Sequence, residues 1–364
     1  MSLTLRQRVG LELQRSLRHN TARLHPLRTL FWECTLRCNM HCRHCGSDCR
    51  VQPSVGDMPA GDFLHVIDGL LLHVDPHKLF IIFTGGEALL RDDLEMVGHE
   101  LYRRGFPWGV VTNGYLLDEE RFDRLLASGM HSVAISLDGL AEDHNWLRCH
   151  PDSFAHVEHA IDLLARQHEV LWDVVTCVNP RNYLHLGALR EYLQQRGVPS
   201  WRLFSIAPMG RAAHDASLQL DDGQLRGLMD FIAASRMGRS VEGNVMKVSY
   251  ACEGFLGAYE QRVRDHFFFC RSGIEVASIR CDGAISGCTS VRSHMDQGNI
   301  YEDDFWEVWQ NRFSVMRDRR WTRKDQCENC QVWRYCEGSG LHLYDDDGRL
   351  LSCHHQRLGR ALRP

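Results

Sequence analysis

Residues 33–50 read Glu33-Cys34-Thr35-Leu36-Arg37-Cys38-Asn39-Met40-His41-Cys42-Arg43-His44-Cys45-Gly46-Ser47-Asp48-Cys49-Arg50. Within them Cys38, Cys42 and Cys45 stand at C-x3-C-x2-C spacing. Three thiolates on one short loop can hold three irons of a cubane cluster and leave the fourth iron without a protein ligand. At that open iron a small molecule can bind and accept an electron. A structural zinc site wants four closed ligands. Cys34 or Cys49 is available to complete one, so the loop alone leaves zinc as the rival; ligand count favours the iron–sulfur reading.

Outward from this loop the chain alternates strand and helix. Thr29-Leu30-Phe31-Trp32 is a short strand running into the loop, and Phe63, Val66, Ile67, Leu70 and Leu71 repeat at helical spacing. Apolar strands are expected at Lys78 to Phe83, Trp108 to Thr112, Ser132 to Leu137, Val170 to Cys177 and Trp201 to Ile206, with amphipathic helices between them. Such alternation makes parallel βαβ units, in a partial barrel or a doubly wound sheet. In either, the loops after the strands gather on one face and carry the chemistry. The polar motifs Thr84-Gly85-Gly86-Glu87, Asn113-Gly114, Asp138-Gly139, Asn179-Pro180 and Pro208-Met209-Gly210 all fall at such ends.

Ahead of the first strand, Leu3 to about Asn20 reads as a basic amphipathic helix with Leu5, Val9, Leu11, Leu13 and Leu17 as the apolar members expected to pack. The segment before Leu27 is short, so no separate leader-peptide-binding domain is expected there. After Gly210 one more helix follows, Asp221 to Arg236. Then the pattern thins and cysteines return at 252, 270, 281, 288, 327, 330, 336 and 353. This half is expected to be held by metal rather than by a core. The organisation is an N-terminal helix over 1–26, a barrel over 27–240 and a cysteine-rich extension over 241–364.

The chain has 364 residues, 44% hydrophobic, with formal net charge -5. That charge argues against nucleic acid as the main partner. Fifteen cysteines without an apolar N-terminal run or a membrane-spanning segment imply a reducing, cytoplasmic setting and metal binding rather than disulfides.

Cys38-x3-Cys42-x2-Cys45, with His44 before the last cysteine, resembles the loop of the radical S-adenosylmethionine (SAM) enzymes. The resemblance covers residues 27 to 210 and implies a partial (β/α)6 TIM-like barrel. Gly85, Gly86 and Glu87 look like the family's Gly-Gly-Glu segment, whose carboxylate end meets the cofactor's ammonium group. Ser136-Leu137-Asp138-Gly139 is similar to the ribose-approaching segment, so Ser136 and Asp138 are cofactor-binding candidates. Arg148 matches an arginine that pairs with the methionyl carboxylate. Thr112, Asn113 and Asn179 sit where polar residues line the cavity.

The C-terminal half resembles the SPASM extension, through Cys270, Gly283-x4-Cys288, Cys327-x2-Cys330-x5-Cys336 and Cys353. The resemblance implies two auxiliary iron–sulfur clusters. Cys327, Cys330, Cys336 and Cys353 form a complete, closed 4Fe-4S set. Cys252, Cys270 and Cys288 remain for the other, because Gly340 stands where the pattern has a further cysteine. Either that cluster has an open or non-standard position, or Cys281 fills it. The aromatic helix around Phe305, Trp306, Trp309 and Phe313 is expected to pack on the clusters.

The resemblance implies reductive cleavage of S-adenosylmethionine to a 5′-deoxyadenosyl radical that takes hydrogen from a substrate. The expected substrate is a ribosomally made peptide or protein side chain, crosslinked or oxidised. The alternative is a small cofactor precursor or tetrapyrrole. A reducing partner such as flavodoxin or ferredoxin is expected, with no nucleic acid and no membrane. A zinc scaffold and an iron–sulfur electron carrier that leaves SAM intact are the rivals outside this class.

Overall fold

Helix α1 (Leu5–Leu24) opens on a capping box: the Gln7 N–H donates to Thr4 Oγ1 at 3.2 Å, and the Thr4 N–H donates to Gln7 Oε1 at 3.0 Å. Its expected packing face is largely turned to solvent, with Leu5 78%, Val9 53%, Leu13 68% and Leu17 59% exposed. The helix docks instead through Gln7, Leu11 and Arg18. Gln7 donates to the Ala258 carbonyl, Leu11 inserts beside Phe255, Phe267 and Phe268, and Arg18 donates to the Tyr335 carbonyl and pairs with Glu337. The surface it meets offers polar partners for one turn and an aromatic slot for the next, so a mixed face fits better than a purely apolar one. The computed structural model describes residues 4–237, 246–251, 254–292 and 295–361.

The barrel follows as β1 (Thr29–Thr35), α2 (Ala60–Leu70), β2 (Phe80–Gly85), α3 (Leu94–Arg103), β3 (Trp108–Thr112), α4 (Glu119–Ala127), β4 (Met130–Ser136), α5 (Ala141–Arg148), α6 (Ser153–Arg166), β5 (Leu171–Val178), α7 (Pro180–Tyr183), α8 (Leu186–Gln195), β6 (Ser200–Ser205) and α9 (Asp222–Met237). The six expected strands are all present and pair in parallel in chain order, β1 to β6. The fold is thus the partial, unclosed α/β barrel, a run of right-handed βαβ units.

Strand alternation separates two faces. On the outer face Trp32 stacks on Phe63 of α2 at 4.2 Å, and Phe83 packs on Trp32 and on Trp108. Aromatic pairs of this kind contribute roughly 0.5–1.5 kcal/mol each beyond area burial. The inner face carries Phe31, Ile82, Val111, Ala134, Val175 and Phe204, all only half-buried. That face lines the open interior of the barrel.

Beyond α9 come β7 (Lys247–Tyr250), β8 (Val276–Ile279), β9 (Ala284–Ser286), β10 (Gly298–Asn299), α10 (Phe305–Asn311), α11 (Ser314–Arg317), α12 (Trp333–Cys336) and α13 (His354–Arg360). β7 adds in parallel to β6, and β8 adds in parallel to the far edge of β1. One ten-stranded sheet, in the order β10-β9-β8-β1-β2-β3-β4-β5-β6-β7, therefore holds strands from both sides of residue 240.

Because β8 extends the same sheet, the C-terminal half shares the barrel's core. Ala277, Ile279, Ile285, Val308, Trp309 and Phe313 belong to one hydrophobic cluster with Leu30 and Trp32. This corrects the expectation of a half held by metal in place of a core. The aromatic helix α10 belongs to that core: Trp309 Nε1 donates to the His25 carbonyl at 3.1 Å, and Trp306 stacks on His73. Cys270 and Cys288 pack against that same core, and Phe255, Phe267, Phe268 and Tyr335 pack with Cys270 and Cys336. No helix among the described residues is long and apolar enough to cross a membrane.

Candidate functional site

Strand β1 delivers the cysteine loop to the C-terminal mouth of the barrel. The loop is closed at its neck, where Cys38 N donates to the Arg50 carbonyl at 2.9 Å and Arg50 N to the Leu36 carbonyl at 3.2 Å. Cys38, Cys42 and Cys45 lie together in one small cluster with Met40 and Cys49. Burial pushes the Cys38 thiol up to about 12 and raises Cys42 as well. A hydrogen bond with Cys49 pulls Cys45 down. Cys34, by contrast, points to the helix layer, donates to the Thr84 carbonyl at 3.2 Å and is raised by burial. It is a structural thiol.

The Gly-Gly-Glu segment braces this loop. Gly86 N donates to the Thr35 carbonyl at 2.7 Å and Glu87 N to the Arg37 carbonyl at 2.8 Å. A Cβ on Gly86 would stand 2.1 Å from the Arg37 oxygen, and one on Gly85, at φ +142°, 2.1 Å from that of Thr35. What these glycines approach in the described chain is the backbone entering the cysteine loop.

Glu87 is tied into the scaffold of the mouth. Its carboxylate is fully buried and accepts from Thr112 Oγ1 at 2.7 Å, Asn113 N at 2.8 Å and Leu89 N at 3.2 Å. Desolvation raises it, against those three donors. Both oxygens are engaged, and they link the segment after β2 to the end of β3. Thr112 shares that task. Asn113 donates through Nδ2 to Asn39 Oδ1 at 2.8 Å, which links β3 to the cysteine loop. Asn179 caps α7 with Asn182 in a capping box, a local role instead of a cavity one.

Arg148, at the end of α5, connects two of the expected features. Its Nε donates to Asp138 Oδ2 at 2.6 Å, and its Nη1 reaches Cys42 Sγ at 3.8 Å. Burial would raise the Asp138 carboxyl, but the Arg148 charge leads the neighbours that hold it below the usual carboxylate range. His44, Asp138 and Cys177 bring ligand-type atoms within 4.8 Å of one another. Asp138 already accepts from Arg148 and from the Cys177 N–H at 2.8 Å, which accounts for the grouping without a metal. Ser136, the last residue of β4 and two positions before Asp138, lies half-buried on the inner face.

Two arginines that the sequence reading passed over clasp the loop. Arg211, just after Pro208-Met209-Gly210, donates to the Cys42 carbonyl at 2.7 Å and the Cys49 carbonyl at 2.9 Å. Arg292 pairs with buried Glu33 and donates to Ser47 Oγ at 2.5 Å. A cavity of about 160 Å³ between Glu33, Gly46, Ser47, Gly85, Thr289 and Arg292 opens there. The position of Arg211 directly beyond a strand's C-terminal end was the available signal; for Arg292 the sequence carried none.

In the C-terminal half, Cys327, Cys330, Cys336 and Cys353 are brought together and act on one another electrostatically. Cys270 and Cys288 are neighbours in the same sense. Cys252 lies outside the described residues. Cys281 is turned away from Cys288: it is buried with its Sγ 3.9 Å from Glu33 Oε1, and the charges acting on it are Glu33, Asp282, Arg292 and Arg280.

Comparison with known proteins fits this arrangement. A family model of the radical SAM superfamily matches residues 32–193, and one of an iron–sulfur cluster-binding SPASM domain matches residues 270–331. The chain belongs to the radical SAM superfamily and carries a SPASM domain. Its relatives include an AdoMet-dependent heme synthase of Methanosarcina barkeri, 25% identical over 338 residues that cover 89% of this chain and 94% of that one. An Fe-coproporphyrin III synthase of the same organism is 24% identical, covering 85% and 82%. Among solved structures, anSMEcpe with bound AdoMet and the Kp18Cys peptide superposes with a TM-score of 0.71 at 20% identity, covering 92% of this chain and 95% of that one. The last likeness concerns the fold.

The donor set fits the cofactors that radical SAM and SPASM domains imply, iron–sulfur clusters and SAM. Three clustered thiols at the mouth have Arg148 beside one of them, and four more thiols gather in the extension. Thiols that burial holds protonated give up their protons when iron binds, so loading releases protons and strengthens as pH rises.

Proposed function

We propose that this radical SAM enzyme acts on a tetrapyrrole or a related small cofactor precursor. The observation that carries the reading is the near-full-length alignment with tetrapyrrole enzymes, through both the barrel and the SPASM domain. The half-exposed apolar inner face, from Phe31 round to Phe204, supports it, because a flat conjugated ring system needs such a lining. The peptide reading has behind it a shared fold and a weaker alignment with the mycofactocin maturase MftC of Mycobacterium ulcerans, 27% identical over 318 residues.

In this reading Cys38, Cys42 and Cys45 hold the SAM-binding cluster. The guanidinium of Arg148, fixed on one edge by Asp138, presents its remaining N–H groups to the methionyl carboxylate. Gly85, Gly86 and Ser136 border the cofactor by their position, while Glu87, Thr112 and Asn113 hold the mouth in shape. Cys327, Cys330, Cys336 and Cys353 hold a closed auxiliary cluster; Cys270 and Cys288, with Cys252, hold the other. When bound, SAM and its cluster supply a carbon-centred radical able to abstract hydrogen. The chain's part is to aim the reaction and keep water out of the interior.

The test is an anaerobic incubation of the reconstituted protein with SAM, dithionite and a panel of porphyrins bearing propionate side chains, beside a panel of Cys-containing peptides. Formation of 5′-deoxyadenosine with a mass change on a porphyrin is expected. A mass change on peptide alone would replace this reading by the peptide one. Absence of 5′-deoxyadenosine from fully iron-loaded protein would count against SAM cleavage itself.

A further inference from the structure

A cleft of about 640 Å³ lies between α1, the α10–α11 segment and α12, away from the cysteine loop of the barrel. Six arginines line it, Arg15, Arg23, Arg317, Arg319, Arg320 and Arg334, against two lining carboxylates, Glu337 and Asp318, the second paired with Arg320, and neighbouring Glu12 pairs with Arg15 and Arg334. The whole chain carries a formal charge of -5, so this concentration of positive charge is local and opposite in sign to the rest.

The charge is also poorly neutralised where it is deepest. Arg317 donates to the backbone carbonyls of Gly273, Gln310 and Trp309 and has no carboxylate partner among the described residues. Burial alone lowers it, to about 10. Arg319 is 5% exposed, donates to the Ser339 carbonyl at 2.9 Å, and leaves its buried Nε without a partner. Keeping a guanidinium buried without a carboxylate is costly. Arg317 is held by those carbonyls and by the faces of Trp309 and Phe313, none of which neutralises its charge, and an anionic partner would offset that cost.

The third observation is where the cleft leads. Its wall includes Trp333, the first residue of α12, and α12 ends on Cys336. The Trp333 N–H donates to the Cys330 carbonyl at 3.1 Å. Arg319 reaches the same cysteine set through Ser339, whose N–H donates to the Cys336 carbonyl at 3.4 Å. The backbone around Trp333 and Ser339 thus joins the cleft wall to two of the four clustered cysteines, while the Trp333 indole N–H donates to Thr322 Oγ1 at 3.1 Å.

We infer that this cleft is the docking site of an acidic one-electron carrier protein, which exchanges an electron with the cluster held by Cys327, Cys330, Cys336 and Cys353. The inference rests on the reading that these four cysteines hold a cluster. The exchange is simple: the reduced carrier loses one electron, the cluster gains one, and no bond or proton moves; the reverse removes an electron left after substrate oxidation. Opposite charges steer such encounters, and salt screens them over roughly 10 Å at 0.1 M.

Arg23 and Arg320 are exposed and outside the catalytic and cluster machinery, so the double variant Arg23→Glu, Arg320→Glu is the test. Association of the reconstituted holoenzyme with purified acidic flavodoxin and with an acidic 2Fe-2S ferredoxin is measured by titration calorimetry and stopped flow across ionic strength. Wild-type association is expected to weaken steeply with salt. The variant is expected to bind at least tenfold more weakly at low salt, with the difference vanishing at high salt. Its iron content, and its 5′-deoxyadenosine formation with dithionite, are expected to be unchanged. Equal binding by both proteins, or wild-type binding indifferent to salt, overturns the proposal. Tight 1:1 binding of inorganic pyrophosphate that neither carrier displaces also overturns it, in favour of a small-anion site. Loss of iron from a Cys327→Ala, Cys353→Ala protein is the separate check on the cluster, so failure of that reading is distinguishable from failure of docking.

Discussion

Arg148 donates to Asp138 at 2.6 Å in the mouth of the barrel, with side-chain exposures of 9% and 0%. The same guanidinium lies 3.8 Å from the sulfur of Cys42. One arginine therefore connects the segment after β4 with the cysteine loop. Removing one partner of a buried ion pair leaves an uncompensated charge, at a cost of about 3–5 kcal/mol. Arg148→Ala is expected to lower stability by that order and to lose SAM binding, while Arg148→Lys recovers part of the stability and little of the binding. Chemical denaturation and calorimetric titration with SAM under nitrogen separate the two effects.

The close approach at Gly86 gives a prediction about loading. A methyl group there meets the Arg37 carbonyl at 2.1 Å, a backbone atom that cannot step aside. Gly86→Ala is expected to displace the cysteine loop and cut iron at the three-cysteine site, leaving the auxiliary iron in place. Gly61→Ala is the contrasting control: nothing lies within 4 Å, and the residue is in helix α2. There the same change is expected to stabilise by up to about 1 kcal/mol. Iron counts and low-temperature paramagnetic resonance read both.

His144 makes the apoprotein's stability depend on pH. It is fully buried, its Nδ1 accepts the Asp138 N–H at 3.0 Å, and burial, reinforced by the Arg148 charge, holds it down at about 3. The unfolded chain takes up this proton near pH 6.5 and the folded chain does not until about pH 3, so stability falls as pH drops through that window. The slope due to this one group approaches about 1.4 kcal/mol per pH unit between the two values. His144→Gln should flatten the profile by that amount between pH 6 and 4. Identical slopes for the two proteins in urea titrations would contradict the assignment.

Cys281 and Cys353 should respond oppositely to replacement. Cys353 is grouped with three other thiols, whereas Cys281 faces Glu33. Cys281→Ala is therefore expected to leave iron and acid-labile sulfide unchanged, and Cys353→Ala to lose one cluster's worth. Iron loss on replacing Cys281 would restore it as a ligand.

The sequence alone determined the cysteine spacing, the alternation of apolar strand with amphipathic helix, and the placing of polar motifs at strand ends. These signals are local: ligands on one loop are set by chain length between them, and periods of two and 3.6 are written into each segment. The strands β1 to β6 were legible for that reason. The tertiary structure decided what each motif touches. Glu87 turns inward because donors at and just after the end of β3, 25 and 26 residues on, bind both its oxygens. Cys281 meets Glu33 across 248 residues, and α1 packs through Leu11 and Arg18 because residues at positions 255 to 268 and 335 shape its seat. β8 joins the edge of β1, giving the SPASM half a core that its sparse local pattern did not announce. Contacts between segments so far apart depend on how the whole sheet assembles, and no local period encodes them.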